Sequence, residues 1–91
     1  MRKYELTDET ITVGGRTLHR IRALVDFGAV HAGELGGYVE TERNLSHDGT
    51  CWVCDSARVC GSAWVCDSAW VYGQARVCDS ARVCDSARVC D

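Results

Sequence analysis

Seven cysteines stand at positions 51, 54, 60, 66, 78, 84 and 90 of a 91-residue chain. Thiols at regular spacing can ligate a soft metal, shuttle electrons or form disulfides. Cys51 and Cys54 have the C-x-x-C spelling of zinc and redox sites, but on a strand an odd separation of three sends the two side chains to opposite faces. The later cysteines recur at multiples of six, and no histidine lies among them, since His19, His31 and His47 all precede residue 51. The cysteines are therefore expected as repeated display residues, with no metal, no cofactor and no catalytic residue assigned. The histidines are expected to be solvated or capping groups. Gly33-Glu34-Leu35-Gly36-Gly37 has no following helix and no lysine, so it is no phosphate loop.

The elements that must hold these residues are legible as a period. Valine recurs at 53, 59, 65, 71, 77, 83 and 89, with alanine two residues before each from Ala57 onward. Between them lies Arg58, Trp64, Trp70, Arg76, Arg82 or Arg88, and each valine is followed by Cys except where Tyr72 intervenes. Read as a strand, Ala and Val share a buried face, while Arg or Trp and Cys point the other way. A helix would place successive valines about 240° apart. Asp-Ser and Gly-Ser pairs then turn the chain, so four-residue strands alternate with two-residue corners, which describes a β-solenoid. The register continues upstream through Val39 and Leu45, then slips by two before Val53, which puts Cys51 in an inward small-residue slot. Residues 1–30 read instead as strands around a Gly14-Gly15 hairpin turn.

These hexapeptides resemble those of the hexapeptide-repeat proteins that form left-handed parallel β-helices. They are most similar to a bacterial and phage group with Ala-x-Val-Tyr-Gly-Asn repeats. Gly36-Gly37-Tyr38-Val39-Glu40 and Asn44-Leu45-Ser46 look like the segment preceding the repeats in that group. Cys in place of the usual Tyr, and Asp in place of Gly at many corners, depart from it. The resemblance implies an all-β fold: a short left-handed parallel β-helix over residues 31–91, capped by an N-terminal β-hairpin segment over 1–30. It also implies three hexapeptides per coil, so that residues 18 apart stack. One flat would carry Cys54, Tyr72 and Cys90, a second Cys60 and Cys78, a third Cys66 and Cys84. Trp64 would then meet Arg82, and Trp70 would meet Arg88, as cation–π pairs.

Ten basic against thirteen acidic residues give a net charge of −3, which argues against a nucleic-acid partner. The four repeat arginines nearly offset the corner aspartates Asp55, Asp67, Asp79, Asp85 and Asp91. No apolar run has the length of a membrane span and the start lacks a secretory pattern, so a cytoplasmic protein with reduced thiols is expected. The function expected is a non-catalytic binding or assembly module, phage- or prophage-related, and not an enzyme. Its contacts with an unidentified protein partner would be made by exposed Trp52, Trp64, Trp70 and Tyr72 together with Arg58, Arg76, Arg82 and Arg88. A homodimer is expected through the C-terminal coil, at Val83, Val89 and Cys90. Two alternatives are a phage inhibitor of a host defence complex that mimics nucleic acid, and a minimal relative of the hexapeptide acyltransferases.

Overall fold

A computed structural model describes residues 2–90. Strand β1 (Tyr4–Val13) turns at Gly14 and Gly15, whose φ values of 56° and 81° suit glycine, into the antiparallel β2 (Arg16–Ala23). β3 (Leu35–Val39) pairs antiparallel with β2 on one edge and parallel with the repeats on the other. It is thus the seam between hairpin and solenoid. A 3-10 turn, Glu42–Asn44, follows.

Seven two-residue strands then succeed one another at six-residue intervals: β4 (Trp52–Val53), β5 (Arg58–Val59), β6 (Trp64–Val65), β7 (Trp70–Val71), β8 (Arg76–Val77), β9 (Arg82–Val83) and β10 (Arg88–Val89). They fall in rotation onto three parallel ladders, β4-β7-β10, β3-β5-β8 and β6-β9, the last extended by a bridge from Leu45 to Val65. The chain is all-β with almost no helix and is β-solenoid-like in its parallel pairing. No helix among the described residues is long and apolar enough to cross a membrane.

Within the repeats the stacking interval is 18, as in Arg58↔Arg76, Trp64↔Arg82 and Trp70↔Arg88. The first coil differs: Val39 pairs with Val59 and Leu45 with Val65, both 20 apart. The two extra residues are the slip that precedes Val53. Coils are joined by one repeated pair of backbone bonds, for example Arg58 N–H to Ala75 O at 2.9 Å and Cys60 N–H to Val77 O at 2.9 Å.

The side-chain alternation follows the strand period. Val39, Leu45, Val53, Val59, Val65 and Val71 are fully buried along one axis, with Ala57, Ala63, Ala69 and Ala75 beside them. Cys51 is also fully buried, in the inward slot its register assigns. The corners take left-handed backbone at Asp55, Asp67, Asp79 and Asp85, with φ between 58° and 61°, and at Gly61 and Gly73. Asp tolerates this conformation better than most residues. Its carboxylate also bonds the next coil: Asp55 Oδ2 accepts from Gly73 N–H at 3.1 Å, and Asp67 Oδ2 from Asp85 N–H at 3.3 Å. Asp91 lies outside the described residues.

Candidate functional site

Trp52 corrects the expected contact surface. It is fully buried, because Tyr4 and Phe27 of the N-terminal segment cover its ring edge-on at 6.4 and 5.2 Å between centroids. Strand alternation states which side of the backbone Trp52 occupies, and the segment folded over that side removes it from solvent. Trp64 does stand exposed at 39%, with the Arg82 guanidinium 5.6 Å from its ring centroid. Trp70 and Tyr72 are half-buried and, with Arg88 and Ala29, line a shallow depression of about 380 Å³. Arg58 is half-buried over the exposed Arg76. Val83 is buried, Val89 half-buried and Cys90 exposed.

The cysteines are less open than an outward slot suggests. Cys60 and Cys66 are each only 6% exposed, whereas Cys54, Cys78 and Cys84 are half-buried. In each stacked pair the earlier sulfur lies beneath the later coil. Cys66 and Cys84 form a disulfide across a Cα separation of 4.8 Å. The expectation that every cysteine remains a thiol is corrected here, since parallel stacking at 18 residues brings the two sulfurs within bonding reach. Asp67 places a carboxylate within 4.8 Å of the same sulfurs, but a disulfide sulfur is not the thiolate a metal takes. Cys60 Sγ lies 2.7 Å from Cys78 Sγ. Burial, and then the neighbouring Cys78, push the Cys60 thiol up to about 11. Burial, and then the Asp55 and Glu34 carboxylates, push Cys54 up to about 11.

A polar clip fastens the cap to the first coil. Lys3, only 3% exposed, donates from Nζ to the Cys51 carbonyl at 2.9 Å and to that residue's sulfur at 3.4 Å, with the Phe27 ring centroid 4.6 Å away. Burial lowers the Lys3 ammonium and raises the Cys51 thiol, and each shift is partly offset by the other group. His47 stacks on Tyr4 at 4.2 Å. Its Nδ1 accepts from Lys3 N–H at 3.0 Å, so Nε2 carries the proton and donates to Glu42 at 3.0 Å. Nδ1 thereby holds the cap, while the bond from Nε2 to Glu42 fixes the ring in place. His19 Nδ1 lies 3.2 Å from the Thr7 carbonyl.

A separate depression of about 740 Å³ is bordered by Arg16, Glu40, Arg43, Gly61 and Asp79. Glu40 accepts from Gly61 N–H at 2.7 Å and from Arg16 at 2.9 Å, and these partners hold its carboxyl below the usual range. Glu40 thus plays for Gly61 the part that the corner aspartates play for later coils. The sequence signal for this was Glu40 immediately after Val39, ahead of the Asp–Gly corner series.

No family model matches the chain. It is 36% identical over 63 residues to the uncharacterized acetyltransferase YdcK of Escherichia coli (strain K12), a match that takes in 60% of this chain and 19% of that protein. The chain therefore spans about a fifth of the length of the curated relative it matches. The expectation that the chain is not an enzyme is corrected by this similarity, because the matched protein is named as an acetyltransferase.

Proposed function

We propose that the chain is a binding and assembly module of the left-handed hexapeptide-repeat type, whose contact surface is the exposed Trp64–Arg82 rung with the adjoining Trp70, Tyr72 and Arg88. One observation carries this reading: a 39% exposed indole beneath a guanidinium, held on a hydrogen-bonded ladder. Large aromatics on a surface that need not reorganise make good interface anchors. The partner is a second copy of the chain. Sedimentation across a dilution series tests the proposal, and a chain that stays monomeric at every concentration overturns it. Trp64→Ser is expected to weaken this lateral contact at least tenfold, roughly 1.4 kcal/mol.

A second reading rests on the likeness to the E. coli acetyltransferase. In it the solenoid is the structural part of an acyl-transfer site whose donor is an acyl thioester. Binding of acetyl-CoA, measured by calorimetry, supports it, and absence of heat at millimolar ligand counts against it.

A further inference from the structure

Two of the three flats carry a cysteine pair at the same place in the repeat. Cys66 and Cys84, which follow the register partners Val65 and Val83, are bonded. Cys60 and Cys78 follow the partners Val59 and Val77 in the same way, with their sulfurs 2.7 Å apart and not bonded. Stacked strands stand about 4.8 Å apart, inside the roughly 4.4–6.8 Å window of Cα separations that a disulfide spans. On the remaining flat Tyr72 stands between Cys54 and Cys90, so no adjacent pair exists there.

We propose that Cys60 and Cys78 are a dithiol site that a low-molecular-weight disulfide such as oxidised glutathione converts into a second inter-coil bond. The half-buried Cys78 is the sulfur a small disulfide meets first. As thiolate it attacks one glutathione sulfur, breaking the glutathione S–S bond, forming a mixed disulfide and expelling one glutathione thiolate. Cys60, buried against it, then attacks the Cys78 sulfur and expels the second. Two protein thiols are oxidised, one glutathione disulfide is reduced to two thiols, and the two protein protons end on the leaving thiolates. The high-lying Cys60 thiol makes the closing step faster as pH rises. The product clasps neighbouring coils on a second flat.

The full chain carrying Cys66→Ser and Cys84→Ser would be reduced, titrated natively with glutathione redox buffers, alkylated and cleaved after arginine. Peptides 59–76 and 77–82 are expected to appear joined, and the joined form to melt at least about 5 °C higher than the reduced one. Adding Cys78→Ser should abolish both effects. Should the double variant fail to fold, the unmodified chain serves: its 59–76 peptide is then expected joined to both 77–82 and 83–88. Cys60 and Cys78 both alkylated at every redox ratio, or each carrying its own glutathione, would overturn the proposal.

Discussion

Trp52 and Trp70 are register partners on adjacent coils of one flat, yet the first is fully buried and the second only half-buried. The difference is the cap. Tyr4 and Phe27 lie edge-on against Trp52, so this indole is part of the core and joins the hairpin to the first coil.

Trp52→Ala is therefore expected to cost about 3–5 kcal/mol, the range for emptying a buried aromatic site. Trp64→Ala, on an exposed indole, should cost less than about 1 kcal/mol. Urea unfolding of both variants checks this, and equal losses would refute the assigned roles.

Gly36 and Gly37 lie where the seam strand passes closest to the first coil. A Cβ on Gly36 would stand 2.5 Å from Val53 O and 2.7 Å from Trp52 Cζ2, and one on Gly37 2.6 Å from Ala57 O. Backbone cannot yield cheaply, so Gly36→Ala or Gly37→Ala should destabilise by about 2 kcal/mol or more. Gly15→Ala meets nothing within 4 Å and should cost only about 1 kcal/mol, from its left-handed backbone. Thermal melts showing Gly15→Ala as the worst of the three would contradict this.

Asp67 combines left-handed backbone, φ 60°, with a carboxylate that accepts from Asp85 N–H. Asp67→Ala forfeits the bond and keeps the unfavourable backbone, an expected loss of about 1–2 kcal/mol. Asp67→Gly relieves the backbone and should fall between alanine and the native residue. A glycine variant less stable than the alanine variant, by urea midpoint, would show that the backbone is not the issue.

Alkaline pH should unfold the reduced protein early. Cys54 and Cys60 are raised to about 11, chiefly by burial, whereas an unfolded cysteine titrates near about 8.5. Their contribution is fully present below about 8.5 and is lost as pH climbs through about 11, because the unfolded chain releases those protons first. Under reducing conditions the urea midpoint should fall across that window, and less steeply for Cys60→Ala. A midpoint that rises with pH would reverse the sign.

The repeat was legible because a period of six allows few architectures. Val53 to Val89 fixed the inward row, and the slip before Val53 placed Cys51 inside. The slip also sets the 20-residue pairings of Val39 and Leu45. What alternation does not report is whether an outward side chain is covered from beyond the strand. Trp52 is covered by Phe27 and Tyr4, distant in sequence, and Cys60 by the coil that follows it. Lys3 carried no pattern at all. It reads as a charged residue near a terminus, and only partners distant in sequence, the Gly49 and Cys51 carbonyls, the Cys51 sulfur and the Phe27 ring, give its ammonium a reason to be buried.

The corner turns recur every six residues with nearly the same left-handed φ, which makes the hexapeptide a quantum for insertion and deletion. Loss of one hexapeptide, residues 69–74 for instance, would leave the valine row unbroken but advance everything downstream by one flat. Arg76 would come to rest on Trp52 in place of Trp70. Cys84 would leave Cys66 and face Cys60, and Cys90 would face Cys66. Loss of 18 residues would instead shorten the column by one storey with each flat's composition unrotated. Sequence drift in this chain can thus change length at little structural cost, while single-hexapeptide events rewrite which sulfur meets which.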